Sequence, residues 1–148
     1  MGSKVKCNLS IIERIAKSNT PTIICNLSKR YLNNVLELPN ETISLNLILA
    51  QNLMRFQVDE RTDVIQNEVM DILTESKTSL LLQDFEMLFD PRYKIDVVKL
   101  ICEVSRLRKI IAVWPGTLIE NDLIYGNAES PDYQVCNINN LIFQFIFF

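Results

Sequence analysis

Histidine is absent from the 148 residues, glycine occurs only three times and proline five. No apolar run approaches the roughly 18 residues of a membrane span. The missing histidine removes Ser-His and Cys-His nucleophile pairs as well as Cys/His zinc sites. The four cysteines, Cys7, Cys25, Cys102 and Cys136, are far apart and form no Cys-x-x-Cys pair, so they read as buried, reduced thiols. Together with a polar start, Met1-Gly2-Ser3-Lys4, in which no signal peptide is legible, they point to a reducing cytoplasm. Metal chemistry would have to run on carboxylates, hence magnesium. A formal charge of −3 gives no global attraction for a polyanion, although a local basic patch is compatible with it.

What is present is a folded composition. Apolar residues make up 48% and charged residues 22%, which excludes intrinsic disorder, and the length suits one domain spanning residues 1–148. Leu9, Ile12, Ile15 and Ala16 share a helical face, with Asn8 or Ser10 as N-cap and Ser10-x-x-Glu13 as a capping box. Asn19-Thr20-Pro21 breaks that helix, and Thr22-Ile23-Ile24-Cys25 reads as a buried strand. Ser28 opens a helix through Leu38, ended by Pro39-Asn40. Thr42 to Leu47 alternates as a second strand, followed by an apolar-periodic stretch from Ile48 to Phe56 and a helix from Val58 to Ser76.

A third strand begins at Leu80. Asp90-Pro91 is expected to cap the next helix, whose apolar face is Ile95, Val98, Leu100, Ile101 and Val104. Ile110 to Trp114 and Leu141 to Phe148 read as the last two strands, while Pro115 to Asn140 shows no regular pattern. Strands of Ile, Leu and Val separated by helices predict a three-layer α/β fold around a mainly parallel sheet of about five strands, and the acidic end of the strand from Leu80 adds the expectation of a P-loop NTPase-like fold.

The chemistry-bearing stretch is Leu80-Leu81-Leu82-Gln83-Asp84-Phe85-Glu86. P-loop enzymes hold magnesium with an acid at the end of a buried strand, and a nearby Glu often polarises the attacking water. Asp84 is the candidate metal ligand, with Glu86 and Asp84 as candidate catalytic acids; in the alternative reading Gln83 occupies the aspartate place. The phosphate loop that should face this strand is Cys25-Asn26-Leu27-Ser28-Lys29-Arg30-Tyr31. Ser28 and Lys29 stand as candidate nucleotide contacts, but both glycines are missing and Arg30 occupies the place of the magnesium-binding hydroxyl. Arg106, in the basic cluster of residues 92–109, is a candidate charge-stabilising arginine or subunit contact. That cluster is also a candidate DNA contact, or simply a solvated basic helix face. Trp114, with Tyr125 and Tyr133, is either a stacking platform or core.

Four segments in order resemble the BrxF family of small P-loop proteins from the bacteriophage-exclusion (BREX) systems. They are Leu45-Asn46-Leu47-Ile48-Leu49-Ala50-Gln51-Asn52-Leu53-Met54, then Leu80 to Asp90-Pro91, then Ser105-Arg106 with Ala112-Val113-Trp114-Pro115-Gly116, and finally Leu123-Ile124-Tyr125 with Pro131-Asp132-Tyr133. The resemblance runs from about Ile11 to Phe148. It implies an ATPase-like fold, a place in a multi-protein phage-defence system beside a DNA methyltransferase, and ATP with Mg2+ as cofactors of members that keep the loop. Of the family's functional positions, Lys29, Glu86 and Arg106 carry over directly and Asp84 as a shifted substitute. The degenerate loop leaves three expectations: a non-catalytic or weakly nucleotide-binding assembly component, an active ATPase with an atypical loop, or a DNA-contacting adaptor. Other subunits of the system, or further copies of the chain, are the expected partners, and a membrane is not.

Overall fold

The computed structural model describes residues 3–38 and 41–148. Six strands form one sheet in which every neighbouring pair is parallel: β1 (Ser3–Lys6), β2 (Thr22–Cys25), β3 (Glu41–Ser44), β4 (Leu80–Gln83), β5 (Ile110–Val113) and β9 (Gln144–Phe147). Their spatial order is β1-β9-β2-β5-β4-β3. Three further strands, β6 (Thr117–Ile119), β7 (Asp122–Tyr125) and β8 (Gln134–Asn137), make a separate antiparallel sheet. The helices are α1 (Leu9–Lys17), α2 (Leu32–Leu36), α3 (Leu45–Leu53), α4 (Arg61–Thr74) and α5 (Val97–Ser105).

The apolar strands are buried on both faces, and the period of two along each strand decides which side chain meets which layer. Ile24, Leu81, Ile111 and Ile146 point to one face and pack with Ile12 and Ile15 of α1 and Val35 of α2. Their sequence neighbours Ile23, Leu80, Leu82, Ile110, Ala112 and Phe145 point to the other, under α3, α4, α5 and the antiparallel sheet. The three-layer α/β arrangement therefore follows from residue-by-residue alternation in strands that look uniformly apolar.

Several boundaries differ from expectation, each for a local reason. Asn8 alone caps α1, its side chain accepting from the Ile11 N–H at 2.9 Å. The alternation of Thr42 to Leu47 does not continue as strand: β3 stops at Ser44, and Leu45, Leu49 and Leu53 form the buried side of α3. The segment from Ser28 is a 3-10 turn over Lys29–Tyr31 followed by the short α2, and its expected stop at Pro39-Asn40 lies outside the described residues. Asp90-Pro91 caps a 3-10 turn over Pro91–Tyr93; Lys94 then adopts a left-handed conformation, and α5 starts later with Asp96 as its cap. The polar, turn-rich region after Pro115 is the antiparallel sheet. Its strands are only three or four residues long and are set among turn formers, too short to carry a periodic signal. β1 was likewise unexpected, being half lysine.

The Trp114-Pro115-Gly116 step ties the two sheets together. The Trp114 indole N–H donates to the Ile124 carbonyl at 3.0 Å. Gly116 lies against that same carbonyl, where an added Cβ would sit 1.8 Å from the oxygen, so this close approach requires glycine.

Candidate functional site

In a parallel α/β sheet ligands bind outside the carboxyl ends of the strands, where neighbouring strands send their connections to opposite faces. Here that point lies between β2, whose chain leaves toward α2 on one face, and β5, whose chain leaves toward the antiparallel sheet on the other. The crevice is occupied by the chain's own groups. Asn26, immediately after β2, has φ of 53°, a left-handed conformation that Asn tolerates better than most residues. From there its side-chain amide donates to the Leu118 carbonyl and accepts from the Leu118 N–H, both at 3.2 Å, which fastens the turn to β6.

The rest of the turn closes on itself. Ser28 Oγ accepts from the Arg30 N–H at 3.3 Å, and the Ser28 carbonyl accepts from the Tyr31 N–H at 3.1 Å. Leu27 packs against the α1–α2 side of the core. Lys29 is exposed and has no hydrogen-bond or ion-pair partner among the described residues. A phosphate cradle needs inward-pointing N–H groups; this turn has a leucine where the cradle would open, and its serine hydroxyl and two of its N–H groups are already engaged.

The acidic strand ends two strands away, about 10 Å across the sheet. Gln83 donates from its side-chain amide to Ser44 Oγ at 2.9 Å, spanning the ends of β4 and β3. Asp84 is exposed, in a left-handed conformation (φ 50°), and its carbonyl accepts from the Asn46 N–H at 2.7 Å. The Asn46 side chain completes a clamp: its amide donates to Glu86 Oε2 at 2.8 Å, and its oxygen accepts from the Met87 N–H at 3.0 Å. Asn46 and Glu86 border an open cleft of about 650 Å³, walled also by Met87, Pro91, Pro131 and Asp132. Beneath this rim Phe89 stacks on Tyr125 (ring centroids 3.8 Å apart) and meets Trp114 edge-on (5.5 Å). Trp114 is therefore core. Burial, followed by the charges of Asp132 and Glu86, raises the Tyr125 phenol above its ordinary range.

Arg106 does not join this rim. It follows α5 at the amino ends of the strands, roughly 13 Å away along a four-residue strand, on the opposite edge of the sheet from Lys29, Asp84 and Glu86. Half of the basic cluster around it is engaged within the chain, Arg92 at the surface and Arg108 and Lys109 turned inward. Arg92 pairs with Asp90 at 2.6 Å, and that hydrogen bond holds the Asp90 carboxyl below its usual range. Arg108 is buried and donates to the Thr78 carbonyl (2.7 Å), the Leu73 carbonyl (3.1 Å) and Glu41 Oε1 (3.0 Å). Lys109 Nζ donates to the Ile15 and Ala16 carbonyls at the end of α1, and desolvation lowers its pKa. Only Lys94, Lys99 and Arg106 of the cluster remain exposed without such a partner among the described residues, spread from one rim of the sheet to the other.

The structure thus brings Asp84 and Glu86 to one rim and Ser28 with Lys29 to the same rim. It leaves the lysine without a cradle and the arginine on the far side. Among the described residues no three Asp, Glu or Cys side chains gather to hold a metal ion. The turn suits magnesium-ATP poorly: Ser28 Oγ and the Arg30 and Tyr31 N–H groups are engaged within the turn, and Arg30 stands where a hydroxyl would meet magnesium. Asn26, Asn46 and Arg108, the residues that determine this geometry, had no motif to announce them, although asparagine directly after a buried strand is a recognisable signal for a left-handed residue. Comparison with family models, with curated proteins and with solved structures found no match.

Proposed function

We propose that this chain is a non-hydrolysing, ATPase-like subunit of a BREX-type phage-exclusion assembly, one that keeps the fold for assembly and has lost the phosphate cradle. The observation that carries the reading is the closed β2 turn, fastened to β6 by the Asn26–Leu118 pair and capped by Ser28. The ATPase-like ancestry is supported by the order β2-β5-β4, which puts the turn after one strand and the acids after another on the same rim, near enough for both to have met a single phosphate group. The four segments of the family resemblance supply the phage-exclusion context. They now have structural roles: the first forms α3 and its Asn46 clamp, the second β4 and its exit, the third α5's end and the Trp114 bridge, the fourth β7 and the cleft wall.

The test is phage plating on a host that carries the gene. Deletion is expected to restore plaques, whereas Lys29→Ala and Glu86→Gln leave protection intact. Loss of protection with Lys29→Ala, in protein that still accumulates, would mean that the turn contacts phosphate after all.

A further inference from the structure

The helix that leaves the edge strand β3 is apolar on the wrong side as well as the right one. Leu45, Leu49 and Leu53 are buried beneath α3, yet Leu47 is 67% exposed and Ile48 38%, and Met54, directly after the helix, is 75% exposed. Leu47, Gln51 and Met54 fall at i, i+4 and i+7, one line down the outer surface. Val58, in the following turn, is 69% exposed. No residue of α3 carries a charge. Its polar residues are the uncharged Asn46, Gln51 and Asn52, so the outer side mixes exposed apolar side chains with amides and carries no charge. These four side chains together expose on the order of 400 Å², the size of the largest apolar patch on a typical monomer, which is often functional. With a polar rim of similar extent, it approaches the roughly 800 Å² per partner of a stable complex.

The flank beside Val58 is acidic: residues 55–63 carry Asp59, Glu60 and Asp63 against Arg55 and Arg61. Both guanidiniums are engaged, Arg55 by Glu68 at 3.0 Å and Arg61 by the Leu53 and Phe56 carbonyls. Asp59, Glu60 and Asp63, beside Val58, are exposed and have no ion-pair partner among the described residues. Two copies joined through this face would set acid against acid, which disfavours the chain itself as occupant.

We propose that the outer face of α3 docks an amphipathic helix of a partner protein, with leucine-type residues along one stripe and lysine or arginine beside it. This rests on the reading of the chain as an assembly subunit and names the face through which it assembles. The apolar stripe takes the partner's leucines by the helix-in-groove mode, and Asp59, Glu60 and Asp63 take its flanking cations.

The probe is a fluorescein-labelled 14-residue helix with Leu at heptad a and d and Lys elsewhere, titrated with the full chain and followed by anisotropy. Binding is expected to weaken with salt, and the same peptide with Glu in place of Lys is expected to bind at least tenfold more weakly. Leu47→Ser/Met54→Ser should weaken the Lys peptide at least tenfold, and Asp59→Asn/Glu60→Gln/Asp63→Asn should flatten its salt dependence. Both substitution sets are at the surface, and circular dichroism melts confirm that each variant folds. Amide shifts on binding should concentrate in residues 45–63. Absence of binding, equal binding by the Leu47/Met54 variant, or self-association of the chain alone that this variant abolishes would each overturn the proposal. A nucleotide-induced rise in melting temperature would instead strike the closed turn and leave this face untouched, so the two readings fail separately.

Discussion

Arg108 offers a quantitative test of how the basic cluster is used. Its guanidinium is fully buried and donates to two backbone carbonyls, Leu73 near the end of α4 and Thr78 before β4, as well as to Glu41. Arg108→Met keeps most of the side-chain volume but removes every donor. The Leu73 carbonyl then loses its partner in a buried place, costing about 1–3 kcal/mol, while the carbonyl of the exposed Thr78 regains water in part. Glu41, 41% exposed, recovers water and adds little. We expect a net loss of about 2–3 kcal/mol, which for a chain of this size lowers the melting midpoint by roughly 5–10 °C. Urea and thermal melts followed by circular dichroism measure it, with Arg106→Met as the exposed control, expected within about 0.5 kcal/mol of the parent. Arg108→Lys should recover less than half, since one ammonium cannot reproduce the fork that reaches both carbonyls. A folded Arg108→Met within about 1 kcal/mol of the parent would refute the staple.

Three further outcomes follow from the same geometry. Asn26→Ala removes both bonds to Leu118 and places a Cβ-bearing residue at φ 53° without the asparagine's local compensation, so about 2–3 kcal/mol should be lost in urea melts, and Asn26→Gly should lose less. Gly116→Ala forces a Cβ against the Ile124 carbonyl and should disturb the Trp114 hydrogen bond, seen as a shift in tryptophan emission and a loss of about 2 kcal/mol or more. Burial pushes the pKa of the Cys25 thiol up to about 12, well above that of a free thiol. Because the unfolded thiol ionises first, its contribution to stability is complete below pH 9 and declines as pH rises toward 12, by at most about 1.4 kcal/mol per pH unit. Melts of the parent and Cys25→Ala between pH 8 and 10.5 check the sign, and a Cys25 thiol that reacts with a disulfide reagent before unfolding would contradict it.

The fold class was legible because buried parallel strands leave uniform Ile, Leu and Val runs, and β2, β4 and β5 lie within a residue of their apolar segments. What escaped was set by contacts remote in sequence. Nothing local ends β3 at Ser44; the Asn46 bonds to Asp84 and Met87, some forty residues on, help begin a helix in an alternating stretch. The antiparallel sheet depends on Gly116 fitting against Ile124, a shape match with no periodic signature. At the candidate site the missing glycines were readable and their consequence was not: the turn closes because Asn26 finds Leu118, 92 positions away. The cations at residues 92–109 read as one patch, yet Arg108 and Lys109 turn inward to carbonyls of α4 and α1. Charge counted along a sequence does not say which charges face water.

The closed β2 turn is tested most directly by thermal melting of the full chain with and without millimolar Mg-ATP. A ligand at 100 times its dissociation constant adds about 2.7 kcal/mol, which here amounts to a rise of several degrees. With Asn26 fastened to Leu118 and Ser28 capping its own turn, we expect the midpoint to stay within about 1 °C. A rise of several degrees that Lys29→Ala abolishes would contradict the closed turn and place phosphate at the end of β2.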